Sequence, residues 1–152
     1  MTDPITYPST TPRLALPMLF AGQAQKEMTV NEALSLTDLA IDATVEGTAQ
    51  NPPSAPVSGQ CWIVDDTPGG DWSGHAGTVA GWTEGGWRYL APREGMRVHD
   101  RSSGAMRLYR SGWLGRAAPA PLQGGTTVDS EVRSSLAAVV QALVDLGVLA
   151  AS

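Results

Sequence analysis

Trp82-Thr83-Glu84-Gly85-Gly86-Trp87 and Tyr109-Arg110-Ser111-Gly112-Trp113 decide how this chain folds. In each, an aromatic residue closes one β-type run, a short glycine-bearing turn follows, and a second aromatic opens the next run. Rings so spaced meet across a hairpin, where aromatic pairs stabilise antiparallel strands. Outward from these two hairpins, β-type runs recur at Gln60–Val64, Gly77–Trp82, Trp87–Leu90, Met96–His99, Met106–Arg110 and Trp113–Arg116. Turn signals separate them at Pro68-Gly69-Gly70, Glu84-Gly85-Gly86, Ser102-Ser103-Gly104 and Ser111-Gly112. Short runs so punctuated predict an antiparallel meander over residues 59–116.

The meander is flanked by helical segments. Residues 14–47 read as helical, with Pro17 opening a first turn, Gly22 interrupting, and a main helix from about Val30 to Val45. Thr29 and Glu32 have the spacing of a reciprocal capping box at its start. Val30, Leu34, Ile41 and Val45 fall near one face, with Ala33, Leu36, Ala40 and Ala43 beside them, and Gly47 is a natural stop. Residues 1–13 read as an extended arm, 48–58 as a proline-rich linker and 117–127 as a Gly/Pro linker. A last helix spans residues 128–147, with Asp129 or Ser130 at its start and Gly147 at its end. Val132, Leu136, Val139, Leu143 and Leu146 repeat at 4-3-4-3 spacing. Leu136 and Leu143 then take heptad position a, and Val132, Val139 and Leu146 position d, a pattern that leans away from dimers toward higher oligomers. The seam is barely two heptads long, and packing on its own chain is the alternative. The expected class is α+β: a helical N-terminal segment, a small β domain and a C-terminal docking or oligomerisation helix.

Composition narrows the function. The chain of 152 residues carries 10 basic and 15 acidic side chains, a net charge of −5, with no Lys/Arg run. The counterion release that drives nucleic-acid binding is therefore missing, and an anionic membrane is a poor partner. The single cysteine, Cys61, excludes an internal disulfide and reads as a small buried strand residue. Residues 1–11 lack the basic start and apolar core of a signal peptide, and no apolar run approaches a membrane span, so synthesis in the cytoplasm without membrane insertion is expected.

Catalytic and metal motifs are weak. His75, His99 and Cys61 are too dispersed to suggest zinc. Asp65, Asp66 and Asp71 crowd one glycine-rich loop but lack the ligand spacing of a calcium loop. Asp65 and Glu94 can be imagined as glycosidase carboxylates, but an acid-rich β domain produces such pairs by chance and the sequence does not show their separation. No phosphate loop or serine elbow is present, so no cofactor, metal or catalytic residue is expected. The aromatic content is the open signal. Trp62, Trp82 and Trp87 read as core, whereas Trp72, in Gly-Asp-Trp-Ser-Gly, reads as exposed and able to stack on a sugar. His75, and Arg88 and Arg97 placed outward by strand alternation, complete the candidate carbohydrate-binding set.

A longer word precedes the meander: Leu16-Pro17-Met18-Leu19-Phe20-Ala21-Gly22-Gln23-Ala24-Gln25-Lys26, then Thr29-Val30-Asn31-Glu32-Ala33-Leu34. With Gly59–Val64, Trp72–Gly77, Trp82, Gly86-Trp87 and Pro92–Gly95, it resembles a family of uncharacterised domains in structural proteins of tailed phages and alphaproteobacterial gene transfer agents. The resemblance covers roughly residues 14–114 and carries no catalytic residues. It implies a head-spike or tail-fibre component on a virion or particle surface, taking part in attachment to bacterial surface or capsular polysaccharide. The implied partners are further copies of the chain, capsid or tail proteins, and another fibre protein. An adaptor that joins capsid or tail to a fibre without touching sugar is the alternative, and a glycan-degrading enzyme ranks last. The Leu16–Phe20 segment joins the last helix as an expected assembly element.

Overall fold

The computed structural model describes residues 9–22, 26–121, 123–124 and 129–151. Most of the expected arm and parts of the second linker lie outside these residues. The architecture is α+β, with two α-helices and eight short strands. The chain forms two compact units, Met1–Pro92 and Arg93–Ser152, so the boundary falls inside the stretch 59–116.

The first unit contains α1 (Lys26–Ala40), β1 (Thr44–Val45), β2 (Thr48–Ala49), β3 (Cys61–Val64), a 3-10 turn at Gly70–Trp72, β4 (Val79–Thr83) and β5 (Gly86–Leu90). Its sheet has the order β2-β3-β4-β5. β4 runs antiparallel to both β3 and β5, but β2 pairs parallel to β3, with Thr48 opposite Ile63. The first residues of the proline-rich stretch 48–58 form an edge strand, and the rest connects it to β3 as the crossover that a parallel pair requires.

Register fixes which side chains share a face. Trp62 lies opposite Ala80, Ala80 opposite Tyr89, and Trp82 opposite Trp87. This face carries the aromatic rings. Cys61 lies opposite Gly81 and Gly81 opposite Arg88, on the other face, which α1 covers. A Cβ at Gly81 would overlap the side chain of Leu39 on α1, so the missing side chain is what lets helix and sheet approach. Gly86, with φ of 95°, closes the β4–β5 turn in a conformation that costs glycine nothing.

α1 departs from the expected helix. It starts at Lys26, so Thr29 is inside it and the capping box does not form. Its buried side chains are Ser35, Asp38 and Leu39, whereas Val30 and Ile41 are exposed and Val45 belongs to β1. Polar anchoring explains this face. The fully buried Asp38 accepts hydrogen bonds from Thr11 Oγ1 (2.7 Å), Arg13 N (3.1 Å) and Leu14 N (2.7 Å). The Arg13 guanidinium donates to the carbonyls of Asp38 (2.6 Å) and Asp42 (2.7 Å), covering the C-terminal end of α1 where a cation is favoured. Asn31 accepts from Leu19 N (2.8 Å) and donates to Leu19 O (3.1 Å). The Leu16–Phe20 segment is therefore not a helical turn begun by Pro17. It is an extended strap held along α1 by side chains of the helix.

The second unit contains β6 (Arg97–Asp100), β7 (Ala105–Tyr109), β8 (Trp113–Leu114) and α2 (Ser130–Asp145). β6, β7 and β8 form an antiparallel meander with Val98 opposite Arg107 and Tyr109 opposite Trp113. Both aromatic hairpins form as expected: Trp82 and Trp87 sit 5.0 Å apart at 65°, Tyr109 and Trp113 5.3 Å apart at 70°. The β6–β7 turn is organised by Asp100, whose buried carboxylate accepts from Ser102 N (2.9 Å), Ser102 Oγ (2.6 Å) and Arg107 Nε (2.8 Å). Asp129 caps α2 by accepting from Val132 N (2.9 Å), and Gly147, with φ of 68°, follows its end. The chain then returns to the sheet, with Met106 N bonded to Gly147 O and Ala118 N to Ala150 O, both at 2.7 Å.

Candidate functional site

Four tryptophans organise the first unit. Trp72, carried by the 3-10 turn, is 0 % exposed and packs with Val64 and Ala80. Trp87 meets Trp72 edge-on at 5.1 Å and 80°, and Trp62 at 5.8 Å and 73°. Trp72 is therefore not the exposed sugar-stacking ring the sequence suggested. The Gly69-Gly70 turn folds its loop back over the sheet, and the indole becomes the centre of the core. Trp62, Trp82 and Trp87, expected as core, are half-buried around it.

This cluster supports a second aromatic pair nearer the surface. His75 lies flat on Tyr89, with ring centroids 3.5 Å apart and planes 3° apart. The Tyr89 hydroxyl donates to Asp71 O (2.7 Å), fixing the ring, and burial followed by the charge of Asp71 pushes its pKa above the ordinary tyrosine value. The loop carrying His75 is held by its backbone. His75 N donates to Trp72 O (3.0 Å), and His75 O accepts from Thr78 N (3.1 Å) and Thr78 Oγ1 (2.8 Å).

Around the β5 edge from this stack, on the face that α1 covers, Arg88 Nε donates to Glu32 Oε2 at 2.7 Å. Arg88 also donates through Nη1 to Trp87 O (3.0 Å) and Gly85 O (3.2 Å), so its guanidinium is held on three sides. Arg88 thus does not stand free on a solvated sheet face, as alternation suggested; α1 brings Glu32 to it. Glu32, His75, Thr78, Trp87, Arg88 and Tyr89 line one shallow depression of about 440 Å³ along the β5 edge. Across the same ion pair lies a larger depression of about 720 Å³, walled by Met18, Asn31 and Ser35. Two of the four proposed carbohydrate residues, His75 and Arg88, are therefore brought together. Arg97 is exposed in the second unit and Trp72 is buried. Sequence reasoning missed Glu32, assigned to a cap, and Thr78; Tyr89, an aromatic two positions from Trp87 on one strand face, was legible.

The remaining candidates take ordinary roles. Asp65 Oδ1 accepts from Thr67 N (3.4 Å) within its own turn. Glu94, in the other unit, accepts from Ser111 N (2.8 Å). Cys61 is buried, and desolvation raises its thiol pKa to about 11. Among the described residues, no three His, Cys, Asp or Glu side chains converge as a metal set. Among the described residues, no helix is long and apolar enough to cross a membrane.

The second feature open to a partner is α2. None of its residues is buried. Val132 is 59 % exposed, Leu136 44 %, Val139 56 % and Leu146 75 %, and Leu143 is half-buried. A groove of about 630 Å³, lined by Leu136, Val140 and Val144 with Pro119 and Pro121, continues the apolar surface around the helix.

No curated protein and no solved structure matches the chain. A family model does match, over residues 30–114, from Val30 inside α1 to Leu114 at the end of β8, and it is described only as a protein of unknown function, DUF2793. That span covers more than half of the sequence, and the chain belongs to the DUF2793 family.

Proposed function

We propose that this protein is a structural component of a phage-like particle or gene transfer agent, a head-spike or tail-fibre element built from several copies of the chain. In this reading it takes part in attachment to bacterial surface polysaccharide and catalyses nothing. The observation that carries it is α2: a 16-residue helix with a heptad seam and no buried residue. A helix whose apolar residues run so far round its circumference is stable in water only when covered. Packing against further copies of the same seam covers it.

The family word resembling phage and gene-transfer-agent structural domains supplies the setting. Its strap residues are consumed in holding the N-terminal segment to α1, which suits a rigid building block. Capsid or tail proteins and another fibre protein are the partners of that setting. Light scattering on the purified chain, with immunogold labelling of particles, tests the reading. A defined oligomer and label at spikes or fibres are expected; a monomer at millimolar concentration together with unlabelled particles would refute it.

One observation favours a second reading, an adaptor that never meets sugar: the ring best placed by sequence to stack on a saccharide, Trp72, has no exposed face. Glycan binding by the isolated protein separates the two.

A further inference from the structure

The depression along β5 combines an aromatic stack with a fixed, charge-balanced pair of hydrogen-bonding groups that reaches it around the strand edge. We infer that it is a binding subsite for a neutral sugar ring, with the outer face of His75, backed by Tyr89, as the plate and Glu32 and Arg88 as the polar partners. This rests on the attachment reading above and names its site and ligand class.

The chemistry runs from the rings outward. Pyranose rings present an apolar C–H face and an equatorial belt of hydroxyls, so they need a flat apolar surface beside donors and acceptors. The His75–Tyr89 stack supplies the surface. It is rigid before any ligand arrives, because Tyr89 is tied to Asp71 O and packs against the tryptophan cluster. A preformed plate avoids the ordering cost that weakens most surface sites. Arg88 supplies donors, and the Glu32 carboxylate has acceptor capacity beyond the one bond to Arg88.

Charge decides which sugar. The Arg88 cation is matched by Glu32 at 2.7 Å, so the subsite presents no uncompensated positive charge to a uronate or sulfate. The whole chain, at −5, repels polyanions as well. A neutral glycan meets neither penalty.

The test is binding of the full-length chain to linear neutral glucan and mannan oligosaccharides and to oligouronates, by calorimetry in 0.05 M and 0.5 M NaCl. A neutral oligosaccharide is expected to bind with an affinity that changes less than about twofold with salt, since no ion pair forms across the interface. Because His75→Ala alone would uncover the face of Tyr89, the double variant His75→Ala/Tyr89→Ala should weaken that binding at least about tenfold, while His75→Phe, which keeps a ring on Tyr89, should retain it within about threefold. The His75 backbone holds the loop in both variants, and thermal melts confirm that each is folded. Glu32→Gln should weaken binding by a factor of about three to ten through loss of a charge-assisted acceptor. Neutral-sugar binding that His75→Ala/Tyr89→Ala leaves intact overturns the site while the attachment reading survives. Binding confined to oligouronates and abolished by salt overturns the ligand class. Failure of every glycan to bind overturns the inference and the attachment reading together.

Discussion

At the scale of single residues, buried polar groups determine what this protein tolerates. Asp100 is the clearest case. Burial pushes its pKa up, but hydrogen bonds from Ser102 and Arg107 and the Arg107 charge outweigh this and hold the carboxyl below its ordinary value of 3.8. A pKa lowered on folding stabilises the native state fully above the unfolded value and loses that contribution as pH falls through the folded one. Urea melts should therefore show stability falling below about pH 4, and Asp100→Asn should flatten that acid limb. Asp100→Ala, which strands Arg107, should cost about 3 kcal/mol at pH 7. Cys61 gives an opposite signature. With its thiol pushed up to about 11 by burial, it should resist maleimide at pH 7.5 in the native protein and label stoichiometrically in urea. Trp72→Ala removes the ring at the centre of the aromatic cluster, and a loss of about 3–5 kcal/mol by denaturant titration is expected.

At the scale of elements, α1 shows how a helix can be positioned by polar contacts. Two of its three buried side chains, Ser35 and Asp38, are polar, and only Leu39 is apolar. Asp38 reads three donors of the strap, Asn31 reads both backbone groups of Leu19, and Arg13 covers the helix end. Leu39 then needs only the bare backbone at Gly81 to reach the sheet. Asp38→Ala leaves Thr11 Oγ1, Arg13 N and Leu14 N without their acceptor. The strap should detach before the sheet unfolds, so limited proteolysis should cut between residues 9 and 20 at denaturant concentrations where tryptophan fluorescence is still native. The helix expected from about Val30 to Val45 forms over Lys26–Ala40, but its buried face differs from the apolar one expected, for the same reason. Apolar periodicity cannot register a face selected by one aspartate, one asparagine and one serine.

At the scale of the whole molecule, the exposed α2 seam makes stability depend on assembly. If copies associate through it, melting temperature rises with protein concentration, because association stabilises the folded state by mass action. Differential scanning fluorimetry from about 1 to 100 µM should show a rise of several degrees in the native chain. Val139→Asp, which places a charge in the middle of the seam, should abolish the concentration dependence while leaving the melt at the lowest concentration unchanged. A melt independent of concentration in the native chain would remove the assembly role from α2.

Local order was legible in the amino-acid sequence. The six strands from residue 60 onward, both aromatic hairpins, the Asp129 cap and the Gly147 stop follow from alternation, turn chemistry and capping, all interactions between residues close in the chain. Only tertiary structure decided the parallel β2–β3 pair, the unit boundary at Pro92, the burial of Trp72 and the meeting of Glu32 with Arg88. Each of these depends on which distant segment supplies the neighbour. A tryptophan in a glycine-rich loop has the same local signature whether the loop turns outward or folds home, and only the packing of Trp62 and Trp87 against it settles which way it goes.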